Sequence, residues 1–121
     1  MKKYKAGIPY DEWEINQLRK DREFAVEYLK LALETLEDPD ERGASLLMLR
    51  AVAEAYGGLG KVAAEAGISR ESLYRSLSPK GNPTMKTLIA VITSVGLRLS
   101  VIEKSAPAKK RARAKISRKA A

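Results

Sequence analysis

The sequence contains no cysteine and no histidine. The first absence excludes disulfides, thiolate metal sites and cysteine nucleophiles. The second removes the commonest general base and metal ligand. Together they argue against an enzyme, and no cofactor or metal is expected. Aromatic residues are few: one Trp, one Phe and five Tyr. No apolar run approaches the roughly 18 to 20 residues of a membrane span. No signal-peptide pattern opens the chain, so the expected location is the cytoplasm, with no membrane partner. The 121 residues suffice for one domain with one modest core.

Charge of one sign is scarce in each region of the chain. Residues 1–5 hold three lysines and no acid, whereas residues 6–57 hold 6 basic and 12 acidic side chains. The balance then reverses. Residues 58–102 carry 6 basic and 2 acidic side chains, and residues 103–121 carry 8 basic and 1 acidic. The basic half suits a polyanion and the acidic half a basic protein.

The basic half begins with residues 59–77, LGKVAAEAGISRESLYRSL. Val62, Ala63 and Ala66 have helical spacing over residues 60–66, and Gly67 can take the positive φ that ends a helix. Ser69 is a good N-cap for a second helix with Leu73 and Leu77 on one face. This is a helix-turn-helix pattern, in which the second helix enters the DNA major groove and the first crosses the backbone. Ala63 is small where the helices cross, and Leu73 plugs the crevice between them. Ser76 stands where an aliphatic is common, a gap that a slight rotation of the helix lets Leu77 fill.

The remaining segments read as follows. Residues 1–20 are an irregular N-terminal arm, with Tyr4, Ile8, Tyr10 and Trp13 tacking part of it down and Pro9 opposing a helix. Trp13 is read as a packing residue. Asp21 caps a helix over 21–37 whose apolar stripe is Phe24, Tyr28, Leu31 and Leu36, flanked by Ala25, Leu29 and Ala32. Glu23, Glu27, Glu34 and Glu37 take its other face. Asp38-Pro39-Asp40-Glu41 starts the next helix, with Asp38 as cap, and Gly57-Gly58 ends it. Residues 78–83, SPKGNP, form a loop. Thr84 caps a helix to Val95, ended by Gly96, and residues 97–101 alternate as a short strand in need of a partner. Residues 103–121 read as a disordered basic tail.

With these residues in view, the chain resembles the Xre/Cro-type helix-turn-helix antidote proteins of bacterial toxin–antitoxin addiction modules. The resemblance covers residues 24–101. It rests on YLKLALE at 28–34, AGISRESLYRSLSPKGNPT at 66–84 and LIAVITSVGLRL at 88–99. It implies an all-α domain over residues 21–102, a five-helix bundle with a helix-turn-helix of the lambda-repressor-like type and a short C-terminal strand. It further implies a protein that binds its own operator and neutralises a RelE/ParE-like toxin. The chain departs from the family in its longer arm and its basic tail.

Placing Ser69 at the cap turns Arg70, Glu71, Tyr74 and Arg75 outward as candidate base contacts. Each arginine suits guanine O6/N7 bidentately, or phosphate. Glu71 can accept from cytosine N4, or hold Arg75 four residues on. Tyr74 fits phosphate or sugar better than a base. Candidate phosphate contacts are Lys61, Ser69, Ser78, Lys80 and Asn82, although Gly81 and Asn82 are also ordinary turn residues. One such domain buries too little surface for a tight specific site, so a homodimer on double-stranded operator DNA is expected, with half-sites about one helical turn apart. Two alternatives stay open: a stand-alone or prophage regulator without a toxin, and a nonspecific, nucleoid-associated architectural protein driven by its tail.

Overall fold

Six helices follow one another in the computed structural model, which describes residues 12–104: α1 (Glu12–Lys20), α2 (Arg22–Glu34), α3 (Arg42–Ala55), α4 (Leu59–Ala66), α5 (Arg70–Ser76) and α6 (Met85–Ser94). The all-helical expectation holds for these residues, but they form six helices rather than five. The additional one is α1, inside the stretch read as an irregular arm. Its sequence has a recognisable logic: Glu12 and Glu14 in the first turn and Arg19 and Lys20 in the last complement the helix dipole. Ile15 and Leu18, three apart, are its buried residues. Trp13 is 68% exposed, which overturns the packing role expected for it. Tyr4, Ile8, Tyr10 and most of the basic tail lie outside the described residues.

The centre of the molecule is α3, which packs on α1 and α2 as well as on α4 and α6. Eight of its residues are buried, spread around the helix as its central position requires. Leu46, Leu49, Val52 and Ala53 join the main core with Leu29, Val62, Leu73, Leu77, Val91 and Val95. Ala51 and Ala55 instead meet Ile15, Leu18 and Ala25 in a second, smaller cluster. Tyr28 and Tyr56 border both clusters. The Tyr56 hydroxyl also donates to the Leu18 carbonyl oxygen, 2.6 Å away, fastening α1 to the end of α3.

Helix α2 differs from its expected orientation. Its buried face is Ala25, Leu29 and Ala32, while Phe24 and Leu31 are 40% and 52% exposed. The alanines permit close helix approach, which moves the bulkier side chains to the flanks. Asp21 caps α2 as expected, its carboxylate accepting from the Phe24 N–H. The helix stops at Glu34 rather than residue 37, where Thr35 turns its hydroxyl back onto the Leu31 carbonyl. Asp38 does not cap α3. Its carboxylate accepts from the Asp40 N–H in a local turn, and α3 begins at Arg42.

At the C-terminal end, Thr84 caps α6 by accepting from the Thr87 N–H, and Gly96 takes φ 85° after it. The Arg22 guanidinium, at the start of α2, donates to the Val95 carbonyl oxygen 73 residues away. The expected strand over 97–101 is not formed; the segment is irregular, with Leu99, Val101 and Ile102 exposed. A lone strand has no ladder in which to place its N–H and C=O groups, and the described residues offer no neighbour.

Candidate functional site

The helical pair α4–α5 is shaped by three short-range devices. Gly67 adopts the left-handed conformation (φ 73°, ψ 28°) after Ala66. Its N–H and that of Ile68 bond back to the carbonyls of Ala64 and Ala63, closing the helix end in the manner of a Schellman motif. Two residues later the Ser69 hydroxyl accepts from the Ser72 N–H at 3.0 Å and starts α5. Ala63, Ala66 and Leu73 are buried where the pair meets the core, with Leu77 completing the inward face of α5. Ser76 is half-buried and donates to the Leu73 carbonyl, so the missing aliphatic is replaced by its neighbour Leu77.

Because Leu73 and Leu77 face inward, Arg70, Glu71, Tyr74 and Arg75 emerge on the surface and line one shallow, open depression. Arg75 reaches the Ser72 hydroxyl at 3.4 Å. Glu71 and Arg75 form no ion pair; the ion pair among the described residues is Lys30–Glu27, at 3.6 Å on α2. The depression therefore offers two planar guanidinium donor forks, one carboxylate acceptor and one phenol.

The loop that follows folds back on the end of α5. A side chain at Gly81 would stand 2.2 Å from the Ser76 carbonyl oxygen, so only glycine fits there. Arg42 of α3 ties the same loop down, donating to the Gly81 carbonyl at 3.3 Å and to Asn82 Oδ1 at 3.2 Å. Lys80 is exposed on this loop. Lys61 is not part of the α5 depression. It lines a separate groove with Tyr56, Glu65 and Thr93, its stem lying along Gly57.

One residue beneath the site escaped the sequence reading. Arg50 of α3 is 3% exposed, and its guanidinium carbon lies 3.8 Å from the centre of the Tyr74 ring. It donates to the Ser78 hydroxyl at 2.7 Å, and Ser78 in turn donates to the Tyr74 carbonyl at 2.8 Å. The signal was present: in LLMLRAVAEA, Arg50 sits with Leu46, Leu49 and Ala53 at helical spacing, a cation on an otherwise inward face. Among the described residues no group of acidic side chains is arranged to hold a metal ion.

The described residues place the protein in the all-helical class, with a short helix after a glycine turn that exposes charged side chains. Comparison narrows the class. The family model of the probable addiction module antidote proteins matches residues 10–103, and the chain belongs to that family. A Haemophilus influenzae protein described as uncharacterized is 44% identical over 43 residues. That match spans 36% of this chain and 44% of the relative, so less than half of the relative is covered. No solved structure matches the chain. No helix of the described residues is long and apolar enough to cross a membrane.

Proposed function

We propose that the chain is a sequence-specific DNA-binding regulator, the antitoxin of a type II toxin–antitoxin module that represses its own operon and neutralises a RelE/ParE-like toxin. In this reading α4–α5 is a helix-turn-helix of the lambda-repressor-like type, with α5 in the major groove. One observation carries the DNA half: Arg70, Glu71, Tyr74 and Arg75 line a single open surface on a helix whose other face is buried. Arg70 and Arg75 take guanine O6/N7 or phosphate, Glu71 accepts from cytosine N4, and Tyr74 donates to phosphate. Lys61, Ser69, Lys80 and Asn82 supply backbone contacts. Ser78 contributes indirectly, since its single hydroxyl proton is directed to the Tyr74 carbonyl.

Family membership supports the antidote half. The toxin is assigned to the acidic surface of residues 12–41, where Glu12, Glu23, Glu27, Glu34 and Glu37 are exposed. A homodimer is supported by the exposed Met85 and Ile89, one turn apart on α6, and by Leu99, Val101 and Ile102 beyond it. The protein acts in the bacterial cytoplasm, on the nucleoid, with residues 103–121 as an electrostatic anchor that steepens the salt dependence.

The test is fluorescence anisotropy with a duplex from the protein's own promoter and a scrambled duplex of equal length. It is run at two salt concentrations on the full chain and on a truncation after Glu103. The truncation should keep a preference for the promoter of about 10³ or more. Equal binding of both duplexes by the full chain, with none by the truncation, would leave a basic coating protein instead.

A further inference from the structure

Arg50 is an expensive residue to bury. It is the buried charged side chain of the described residues, and no carboxylate lies within ion-pair distance of it. Its Nε is buried and has no hydrogen-bond partner. A cation taken out of water without a counter-charge costs several kcal/mol, and an apolar side chain of similar volume would fill the same space without that cost. Packing alone does not account for it.

What Arg50 touches does. Its guanidinium covers one face of the Tyr74 ring, while Tyr74 as a whole stays 43% exposed. Its Nη2 holds Ser78, and Ser78 holds the carbonyl of the same tyrosine. Both the ring and the backbone of Tyr74 are thus fixed by one arginine reaching out from α3. The positive charge also stands near the C-terminal end of α5, where it complements the helix dipole. A cation on one face of a phenol draws electron density from the oxygen, which makes the O–H a stronger donor to an anion outside.

We infer that Arg50 is a positioning residue for DNA binding: it fixes and polarises Tyr74 so that the phenol meets a backbone phosphate, and that phosphate supplies the counter-charge which the fold itself withholds. The inference rests on the DNA-binding reading above and adds to it a residue that never reaches the surface. It also gives Ser78 a role, as the link through which Arg50 sets the end of α5.

The experiment uses the full chain, the promoter duplex and the scrambled duplex, and follows both affinity and thermal unfolding. Arg50→Met should keep or raise the melting temperature, because an uncompensated buried charge is removed, yet weaken promoter binding about tenfold. Its salt dependence should become shallower by about one phosphate contact. Arg50→Lys, which keeps the charge but loses the planar stack, should fall between Met and wild type. In a Tyr74→Leu background, Arg50→Met should cost little further, since the residue it acts through is gone.

Ser78→Ala provides an arm that leaves the buried charge in place. It should weaken promoter binding severalfold and lower the melting temperature, the opposite direction from Arg50→Met, because the buried Nη2 loses its acceptor. If the wild-type chain does not distinguish the two duplexes, the DNA-binding reading falls and this inference with it. If the wild type does distinguish them and Arg50→Met and Ser78→Ala bind like it, the inference alone is overturned. Should Arg50→Met fail to fold, wild-type affinity in Arg50→Lys and Ser78→Ala overturns the inference equally.

Discussion

Two tyrosines show how differently the acidic and basic regions are built. Tyr28, on α2, donates its hydroxyl to the carboxylate of Glu14 on α1 and tilts against Phe24 with ring centres 5.6 Å apart. Its polar end is an internal tie between two helices. Tyr74, on α5, instead receives a cation on its face, and its ring lies in the surface depression beside Arg70 and Arg75. Both regions lean on α3. The acidic region contributes apolar side chains to its surface, Trp13, Phe24 and Leu31, among exposed carboxylates such as Glu12, Glu23 and Glu34. The α4–α5 pair keeps Leu59, Val62, Leu73 and Leu77 inside and braces an outward residue, Tyr74, from below. The α5 surface is therefore the more organised of the two, which is what a partner of fixed geometry requires.

The sharpest way to break this comparison is to remove what holds each region to α3. Leu73→Ala should cost about 2–5 kcal/mol, since Leu73 is fully buried in the main core. Ile15→Ala should fall near the bottom of the same range of about 2–5 kcal/mol, because its cluster is small and rich in alanine. Urea unfolding of both variants measures the difference. A larger loss at Ile15 would mean that the α1–α2 region, not the α4–α5 pair, carries the cooperativity of the fold.

Effects on binding come next in size. Arg70→Ala and Arg75→Ala should each weaken promoter binding by about 1–3 kcal/mol, while leaving the melting temperature in place. Unchanged affinity in both, measured by anisotropy, would transfer DNA binding from α5 to the basic tail. Helix caps follow. Asp21→Ala and Ser69→Ala should each destabilise by about 1 kcal/mol through loss of an N-cap. Only Ser69→Ala should also weaken binding, since Ser69 starts the helix that carries the candidate base contacts. Equal binding losses from the two caps would show that affinity merely follows stability.

The smallest effect sharpens the comparison from the other side. Reversing Glu23, Glu27 and Glu34 to Lys should change stability by no more than about 0.5 kcal/mol per site, these being exposed positions. Promoter affinity should rise, as three negative charges are replaced by three positive ones. A large fall in stability would mean that the acidic face is structural rather than open to a partner.

The α4–α5 pair was legible because its signals are local: a glycine at the helix end, a serine cap three residues before its bonding partner, and two leucines on one face. Asp21, Thr84 and Gly96 were legible for the same reason. What escaped depends on tertiary context. α1 is nine residues long, follows Pro9 and buries two side chains, so its helicity comes from packing on α3 rather than from its own propensity. The inward face of α2 went to Ala25 and Ala32 over Phe24 and Leu31 because close helix approach outweighed side-chain size. The strand over 97–101 had the right alternation and no partner. Arg50 was passed over because a charge within an apolar helix is ordinarily read as its solvent side, and only the folded chain places Tyr74 above it.

The hydrogen bond from Arg22 to the Val95 carbonyl has a mechanical meaning. It joins the start of α2 to the end of α6 and so buckles 73 residues of chain into a noncovalent ring. Unthreading from the C-terminal side must open that buckle before α6 can peel away from α3 and α4. Without it, the end of α6 would be held to the molecule by its buried side chains Val91, Ile92 and Val95.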